Sequence, residues 1–504
     1  MVNSPLEFLA ARYGLVVKYD SGGIPAIFCK FPKMKSKDLD SSLPDHVHPA
    51  FIVNGVEQDY ILIGQFAGCC ADGTDDGTIT SLPNMPPIYG RTESQLLGQC
   101  RSFGSKTSGM TVADRGFLLL LAQKMGWKPE GNDCHGHSSG RAASLKFGET
   151  LKAGDERGYR GWLWECLKNH TAAAALAPDA APQHWKRKRE IGGTEAYPDM
   201  HDDGNDVTLT LNGSGPLEWY LDGTLGSPCD LVGNQSENLY GHRLVNCELQ
   251  ILENNNAADS GTSLDETGAW KAILPNKADD GYTLVAPGTG GTLHWTWANG
   301  KITLDTVLPV FDGAHHATDF RELAANSKNV PYVPAILKEL GLFPTKGSTT
   351  TGPVQVAFDK QEHFPRAGGD FASGNAGFGS LDCNQTRTAA GRNYGVRLRA
   401  MAETTTTSDF VFYGADAAST VTSALVSSLK KLATTTRNVS FNVTAGTGQY
   451  IFFALPVRYG TPAFNVNGFT GGFQKVGNIQ VDADSFDVWR SINHSLGTIQ
   501  VNVE

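Results

Sequence analysis

The chain has 504 residues with 40% hydrophobic and 9% aromatic side chains, enough apolar material to bury the cores of roughly two to four domains. Its 42 basic and 52 acidic residues give a formal net charge of −10, which argues against a nucleic acid as the main partner. No segment reaches the ~18 consecutive apolar residues of a membrane-spanning helix, and the N-terminus lacks the basic start of a secretory signal, so we expect no membrane insertion.

The first predicted elements are a short helix and a β-hairpin. Residues 5–14 place apolar side chains at helical spacing. The segments LVVKYD and PAIFCKFP then alternate apolar and polar side chains on either side of a Ser-Gly-Gly turn, which predicts two antiparallel strands. Residues 1–44, which end in a polar stretch, are therefore predicted to form an N-terminal helix-and-hairpin segment used for assembly or attachment.

Short strands and a few helices are predicted after the hairpin. Asn-Gly and Asp-Gly turn signals separate the apolar segments, which is typical of short strands. Helical patterns cover residues 92–103 and 111–126, each behind a threonine cap, and further helices are predicted over 161–170 and 333–340. Strands and long loops are predicted from 206 to 308. The middle of the chain thus mixes helices with strands.

A change of composition separates the last hundred residues from the rest. Residues 403–407 read ETTTT and predict a linker. A helical apolar face follows over 417–432, and several short alternating segments such as NVSFNV and YIFFAL come after it. Residues 408–504 are predicted to form a small all-β, sandwich-like domain.

Catalytic and metal-binding signatures are weak in this sequence. The G-x-S-x-G, phosphate-loop, dinucleotide and H-E-x-x-H motifs are all absent, so no enzymatic activity and no cofactor are predicted. Cys134, His135 and His137 are potential zinc ligands, but no second ligand pair lies nearby in sequence. The acidic loop 202–206 leaves a structural calcium ion as an alternative, although it lacks the spacing of an EF-hand.

Cysteines and basic residues are expected to have structural roles. The nine cysteines have no regular spacing and predict reduced, buried thiols. Cys383 has no histidine nearby in sequence that could act as its base. The basic run 186–189 predicts a solvated loop.

Residues 366–400 form the strongest candidate for a binding surface. The segment combines many glycines with small polar, aromatic and arginine side chains, and it closes on an alternating strand pattern at 394–399. Glycines permit tight turns, and the strand would hold the displayed groups on a rigid base, which lowers the entropic cost of binding. Arg397 is predicted to be an ion-paired part of the scaffold. The predicted ligand-binding residues are Phe371, Ser373, Asn375, Asn384, Gln385, Thr386, Arg387, Thr388, Arg392, Asn393 and Tyr394.

Several segments resemble phage tail proteins that carry a C-type-lectin-like module of the formylglycine-generating-enzyme type. These segments are HPAFIVNGVEQDYILIGQF, SLPNMPPIYG, ADRGFLLLLAQKMGWKPEGN and LDGTLGSPCDLVGNQSENLYGHRLVNCELQILENNNAA. The motif of that group is retained at Asp230, Leu231, Gly233, Asn234, Glu237 and Gly241, and it is replaced at Gln235, Ser236 and Asn238. The same group includes variable proteins of diversity-generating retroelements, among them phage tropism determinants. Its closing pattern is similar to Gly368-Gly369, Phe371, Gly374, Ala376-Gly377, Phe378 and Gly395-Val396-Arg397.

The resemblance implies an α+β C-type-lectin-like domain with long insertions and loops over residues 45–402, with its ligand loop at 366–400. The residues from 408 onward resemble a small β domain of tail-fibre proteins. Only Cys383 is present where the enzymes use a cysteine pair, so their oxidase activity is not implied.

The implied function is recognition of a host-cell surface protein or glycan by a phage tail fibre or tip. Such a protein would be synthesised in the host cytoplasm, would reside in the virion, and would contact other phage tail proteins, usually as a homotrimer. A formylglycine-generating-type oxidase and a purely structural tail component are the alternatives.

Overall fold

The computed structural model of the chain forms two compact units, Met1–Ala402 and Glu403–Glu504. It describes residues 4–71, 77–197, 209–265, 268–371, 376–391, 393–402, 409–418, 421, 425, 429–434, 439–456, 464–467, 472–481 and 484–503. The predicted linker 403–407 lies outside these described residues.

The architecture is predominantly β, with 37% strand and 14% helix, distributed over many small sheets. This finding overturns the predicted α+β C-type-lectin-like fold for residues 45–402. The physical reason is that most of the apolar segments between residues 45 and 402 are short and alternate, so they pair as strands instead of forming helices that could cover a single sheet.

The first sheet joins the two ends of the N-terminal unit. Its five strands, in spatial order, are Leu15–Tyr19, Pro25–Pro32, Tyr60–Gly64, Leu398–Met401 and Thr107–Gly109. The predicted hairpin is confirmed, because the first two strands pair antiparallel with Leu15 opposite Cys29. The hairpin belongs to the same sheet as strands from residues 60–109 and 398–401.

Two larger sheets and several smaller ones complete the N-terminal unit. The six-stranded sheet has the order His315–Asp319, Pro353–Ala357, Leu381–Cys383, Arg366–Ala367, Ser236–Asn238 and Tyr394–Gly395. The eight-stranded sheet contains Tyr282–Val285, Trp270–Pro275, Glu248–Leu252, His294–Ala298, Lys301–Asp305 and Ala324–Ala325, with His242–Val245 and Glu362–His363 paired at its side. The smaller sheets are formed by Glu156–Tyr159, Trp162–Cys166 and Trp185–Glu190, by Thr150–Leu151 with His170–Thr171, by Ile52–Val53 with Val56–Glu57, and by Cys69–Cys70 with Ile79–Thr80.

The helices are short, and three of the α-helices begin with a capping box. The α-helices among the described residues are Pro5–Arg12, Ser36–Leu39, Glu93–Ser102, Val112–Met125 and Ala335–Glu339. The 3₁₀ helices are Pro49–Phe51, Ala174–Leu176, Leu217–Trp219, Glu253–Ala258 and Phe320–Glu322. The helices predicted over 5–14, 92–103, 111–126 and 333–340 are confirmed. Thr92 and Thr111 each form a capping box at the start of their helix, which satisfies backbone N–H groups that have no partner within the helix.

The helix predicted over 161–170 is wrong. Trp162–Cys166 is a strand that pairs with Trp185–Glu190, so the basic run predicted as a loop is also a strand. The second strand exposes its basic side chains, and the guanidinium carbon of Arg187 lies 4.3 Å from the ring centroid of Trp162. Trp162–Cys166 also pairs with Glu156–Tyr159 across the turn at residues 160–161, and pairing on both edges outweighed the helical pattern of the segment.

The C-terminal unit contains one connected seven-stranded sheet. Its strands are Asp409–Asp416, Lys430–Thr434, Val439–Pro456, Phe464–Asn467, Phe473–Val481, Asp484–Ser491 and Ser495–Val503. The long strand Val439–Pro456 pairs with Ser495–Val503 along its first half and with Asp409–Asp416 and Asp484–Ser491 along its second half. This shared strand replaces the sandwich that was predicted for 408–504.

The helix predicted over 417–432 is only partly within the described residues. Its last residues belong to the strand Lys430–Thr434, while 419–420, 422–424 and 426–428 lie outside the described part of the chain.

A buried ion pair ties the segment 394–399 to the rest of the N-terminal unit. Arg397 and Glu237 are both buried, with 2.6 Å between Nη2 and Oε1 and 3.0 Å between Nε and Oε2. Arg397 also donates to the carbonyl oxygens of Gly64, Gln65 and Cys229. The predicted scaffold role of Arg397 is confirmed, because its guanidinium binds three separate segments and is inaccessible to a ligand.

Candidate functional site

A concave, mostly polar depression of about 170 Å³ lies on the six-stranded sheet, and we refer to it as the polar pocket. Its lining residues come from five segments of the chain. They are Ser236, Pro353, Gln355, Gly369, Asp370, Ser380, Asp382, Asn384, Gln385, Asn393 and Tyr394. Four of the predicted ligand-binding residues, Asn384, Gln385, Asn393 and Tyr394, therefore line one pocket.

The alternation of side chains along two parallel strands separates the pocket from the core. In Leu381–Cys383, the outer two side chains are fully buried, and Asp382 points to the opposite, partly exposed face. Gln355 has the same position between two buried valines of the neighbouring strand. Since Gln355 and Asp382 are direct partners in the strand register, their side chains lie side by side in the pocket.

A chain of amide hydrogen bonds fixes one wall of the pocket. Gln385 donates from Nε2 to Oδ1 of Asn384 over 2.7 Å, and Asn384 donates from Nδ2 to Oε1 of Gln355 over 2.9 Å. The backbone N–H of Asn384 donates to Oδ1 of Asp382 over 2.8 Å. Each amide is held in one orientation, so its remaining donors and acceptors are preorganised for a ligand.

The opposite wall is built from a second polar pair and an aromatic ring. Asn393 donates from Nδ2 to Oδ2 of Asp370 over 3.0 Å. The ring of Tyr394 lies over the guanidinium group of Arg366, with 4.0 Å between the guanidinium carbon and the ring centroid. Arg366 is buried and donates from Nε to Oδ1 of Asn238, while its two terminal nitrogens make no hydrogen bond within the described structure.

The pocket has an electrostatic character suited to hydrogen-bond donors. Its lining includes two carboxylates, Asp370 and Asp382, and no lysine, arginine or histidine among the described residues. Burial raises the pKa of Asp382, although the N–H of Asn384 and the nearby Arg366 act in the opposite direction. Burial also raises the pKa of Tyr394, so its hydroxyl stays protonated. The pocket can therefore accept hydrogen bonds from hydroxyl or amine groups and disfavours anions.

Other predicted ligand-binding residues lie elsewhere. Phe371 is a core side chain beside His135, with 6.1 Å between ring centroids. Arg387 forms an ion pair with the buried Glu93, at 3.2 Å between Nη1 and Oε2, and lies over the ring of Phe364 at 4.2 Å. It also donates to the carbonyl oxygen of Leu264. The structure thus gives Arg387 intramolecular partners outside the polar pocket.

The remaining predicted positions divide into two groups. The hydroxyl oxygens of Thr386 and Thr388 are 3.2 Å apart in a turn next to the pocket, and neither lines it. Ser373, Asn375 and Arg392 lie outside the described residues.

Sequence reasoning missed seven of the eleven pocket residues, five of which lie outside 371–394. Ser236 and Gln355 come from strands far away in sequence, and no local pattern indicates that they meet the segment 366–400. Asp370 and Asp382 lie within that segment. The apolar-polar-apolar order of Leu381, Asp382 and Cys383 was the available signal for an outward-facing carboxylate.

The cysteines and the metal-binding candidates have no connection with the pocket. All nine cysteines are free and buried, as the sequence predicted. Burial raises the pKa of Cys383 well above its ordinary value, which opposes formation of a thiolate nucleophile. Within the described residues, no group of three or more His, Cys, Asp or Glu side chains is arranged to hold a metal ion. The acidic loop 202–206 lies outside them.

Comparisons with known proteins do not assign the chain to a family. No model of a protein family matches it, and a comparison with curated proteins finds no significant match. Within the described residues, no helix is both long enough and apolar enough to span a membrane.

Proposed function

We propose that this protein binds a neutral glycan on a host-cell surface through the polar pocket, as a receptor-binding protein of a phage tail. The observation that carries the binding proposal is the convergence of Gln355, Asp382, Asn384, Gln385 and Asn393 around one concave site on a rigid sheet. The phage-tail setting is supported by the sequence resemblance alone. A virion location, contacts with other tail proteins and a homotrimeric state follow from it as parts of the proposal.

The chemistry of the pocket favours a sugar over other surface ligands. Sugar hydroxyl groups both donate and accept hydrogen bonds, and the amide chain of Gln385, Asn384 and Gln355 offers both functions in fixed directions. The two carboxylates add strong acceptors. Because no cationic side chain lines the described pocket, a carboxylated or phosphorylated sugar would lack a charge partner there.

The size of the pocket sets the expected mode of binding. A cavity of about 170 Å³ is smaller than a typical drug-sized site and suits one terminal sugar residue. A single contact of this size is expected to be weak. Several copies in one particle would raise the overall affinity, since later contacts form at a high effective concentration.

The proposal is tested with a double variant, Asn384→Ala/Asn393→Ala, compared with wild type on an array of neutral and acidic glycans. Wild type is expected to bind neutral glycans only. The double variant removes the middle of the amide chain on one wall and the partner of Asp370 on the other, so we expect at least a tenfold loss of signal. Circular dichroism and the melting temperature verify that the variant is folded.

Thr388→Ala is the matched control, because Thr388 is an exposed residue of the same segment that does not line the pocket. It should bind as wild type does. Binding restricted to acidic glycans, or neutral-glycan binding that is equal in the double variant and wild type, would contradict the proposal. Absence of any glycan signal together with unchanged adsorption of particles carrying the double variant would favour a purely structural role.

Asp382→Asn is expected to stabilise the fold and to weaken glycan binding. The pKa of Asp382 is higher in the folded chain than in the unfolded chain, so ionisation of Asp382 lowers the free energy of unfolding as the pH rises through the folded-state pKa. This destabilisation is present at pH 7. Asparagine retains the oxygen that accepts from the N–H of Asn384. We therefore expect a melting temperature higher by about 1–3 °C at pH 7 together with weaker glycan binding. The gain should disappear at low pH, where Asp382 is protonated; an equal gain at pH 3.5 and pH 7 would refute this explanation.

A further inference from the structure

The strand Tyr282–Val285 forms one edge of the eight-stranded sheet, and among the described residues no strand pairs with its outer side. Its inner side pairs antiparallel with Trp270–Pro275. The four residues are Tyr, Thr, Leu and Val, which all favour β structure. The first two are exposed and the last two are half-buried, so the outer edge of this strand is accessible.

The hydrogen-bond pattern shows which backbone groups face the free edge. In an antiparallel pair, residues that exchange backbone hydrogen bonds with the neighbouring strand alternate with residues that do not. The N–H of Asn276 donates to the carbonyl oxygen of Gly281 over 2.9 Å, directly before the strand. Because Gly281 is hydrogen-bonded in this register, Tyr282 and Leu284 are not, and their N–H and C=O groups point away from Trp270–Pro275. Neither backbone makes a hydrogen bond to another part of the described chain.

The free edge borders a cavity of about 670 Å³ that shares no lining residue with the polar pocket, and we refer to it as the edge cavity. Tyr282, Thr283 and Leu284 all line it. Successive side chains of a strand point to opposite faces, so a cavity that contacts three consecutive residues lies along the edge of the strand. Further apolar lining residues are Ile52, Val112, Ile251, Ile336 and Leu340. An apolar surface and free backbone groups therefore meet at one place.

The edge lacks the features that usually prevent pairing with another chain. Such features include charged side chains, proline and bulges. The strand Trp185–Glu190, which is also an edge, has exposed basic side chains and a bulge in its pairing with Trp162–Cys166. Tyr282–Val285 has no charged residue, no proline and no break in its register. Its free edge is therefore suited to a partner strand.

The electrostatic surroundings indicate which chains can add to this edge. Partial burial, and then the negative charges of Glu339 and Glu253, raise the pKa of the Tyr282 hydroxyl, so the edge lies in a negative potential. The preceding turn, 276–281, adds two aspartates and one lysine. Pairing of this edge with the same edge of a second copy would bring the acidic groups of both copies together, whereas a peptide with Lys or Arg compensates them.

We propose that the strand Tyr282–Val285 and the edge cavity together bind an extended peptide segment of a partner protein as an added β-strand. The backbone of the peptide exchanges hydrogen bonds with Tyr282 and Leu284. One apolar side chain of the peptide enters the edge cavity against Ile336 and Leu340, and flanking Lys or Arg side chains face the acidic groups. The site is separate from the polar pocket, so the proposal does not rest on glycan binding.

The experiment is calorimetric titration of the full chain with three end-blocked peptides. They are KTVTLTVK, the same peptide with N-methyl groups on its four central residues, and ETVTLTVE. N-methylation removes the donors that strand addition requires and changes neither charge nor side chains. We expect the first peptide to bind with a Kd of about 0.1 mM or tighter, and the other two to bind at least about tenfold more weakly. Absence of binding of the first peptide up to about 2 mM, or equal binding of either of the others, would overturn the proposal.

Tyr282→Pro tests the edge in the protein itself. Edge strands tolerate proline where the N–H faces outward, so this variant loses a free donor and retains the pairing with Trp270–Pro275. We expect at least about tenfold weaker binding of KTVTLTVK with a melting temperature close to that of wild type. Tyr282→Thr is the matched control, since it also removes the ring but retains the N–H, and it should bind as wild type does. Equal losses in the two variants would show that the ring holds the peptide and would overturn strand addition.

Amide hydrogen exchange of the wild-type chain locates the peptide without a substitution. Saturation with KTVTLTVK should slow exchange at Tyr282 and Leu284, whose N–H groups become hydrogen-bonded. Exchange at the polar-pocket strand Leu381–Cys383 should not change. Unchanged exchange at Tyr282 and Leu284 while the peptide is bound would place the peptide elsewhere and overturn the assignment.

Discussion

Arg397→Met is expected to lower the free energy of unfolding of the N-terminal unit by about 3–5 kcal/mol, the largest effect of any single substitution considered. Methionine has a similar length, but it cannot compensate the charge of Glu237. The carboxylate would stay buried without its partner, and the carbonyl oxygens of Gly64, Gln65 and Cys229 would lose a charged donor. Urea denaturation followed by tryptophan fluorescence measures this, because eight of the nine tryptophans precede residue 403.

Arg321→Met is the matched control for this prediction. Arg321 pairs with Asp319 at 2.8 Å, but water reaches both side chains, so the expected loss is much smaller than that in Arg397→Met. The double variant Arg397→Met/Glu237→Leu should recover part of the stability lost in Arg397→Met, since it no longer buries an unpaired charge. Equal losses in the Arg397 and Arg321 variants would show that the buried pair does not make the stabilising contribution assigned to it.

The second large effect concerns the pH dependence of stability and His48. This side chain is fully buried; its Nδ1 accepts from the N–H of Ala50 over 3.2 Å, and its Nε2 donates to the carbonyl oxygen of Glu339 over 3.0 Å. Both nitrogens are thus used by the neutral ring. Burial lowers the pKa of His48 to about 4 from an ordinary value of 6.5. Protonation would therefore disrupt the turn Pro49–Phe51, which His48 caps.

The sign of the effect follows from the direction of the shift. Between pH 6.5 and 4 the unfolded chain binds a proton at His48 and the folded chain does not, so this contribution to stability is lost as the pH falls. The loss amounts to about 3 kcal/mol over that interval. In His48→Gln the unfolding free energy should change less steeply with pH over that interval, because unfolding then takes up about one proton fewer than in wild type. Urea denaturation at pH 7, 6, 5 and 4.5 measures this slope.

His315→Gln provides the comparison for His48. His315 is an exposed side chain on the strand His315–Asp319, so His315→Gln controls for the loss of an imidazole that is not buried. If His48→Gln and wild type lost stability in parallel between pH 6.5 and 4.5, proton uptake at His48 would not be the cause.

The local elements were predictable from the sequence because their signals are local. The capping box of Thr111 with Asp114 and the left-handed Gly126 mark both ends of one helix. The alternating segments around Gly22 form the predicted hairpin. At Trp162–Cys166 the helical pattern was overridden by strand pairing on both edges, with Glu156–Tyr159 next to it in sequence and with Trp185–Glu190 later in the chain. The incorrect lectin-like fold also arose from strand pairing that the pattern of single segments does not reveal, since several of the sheets join segments far apart in sequence.

The candidate site was partly predictable for the same reason. Asn384 and Asn393 are polar residues in a glycine-rich segment, and both line the polar pocket. Arg387 has the same sequence signature, but Glu93, almost 300 residues earlier, provides its partner. Gln355 and Ser236 enter the pocket through strand register, which composition does not reveal.

The position of the strand Leu398–Met401 has a consequence for how the chain acquires its fold during synthesis. This strand lies between Tyr60–Gly64 and Thr107–Gly109, both of which leave the ribosome about 300 residues earlier. Until residue 401 has been translated, the edges of those two strands that pair with Leu398–Met401 have no partner in the first sheet. Long-range closure of this kind slows folding and exposes strand edges to other chains. We therefore expect nascent chains shorter than about 400 residues to depend on chaperones and to aggregate when synthesis stalls.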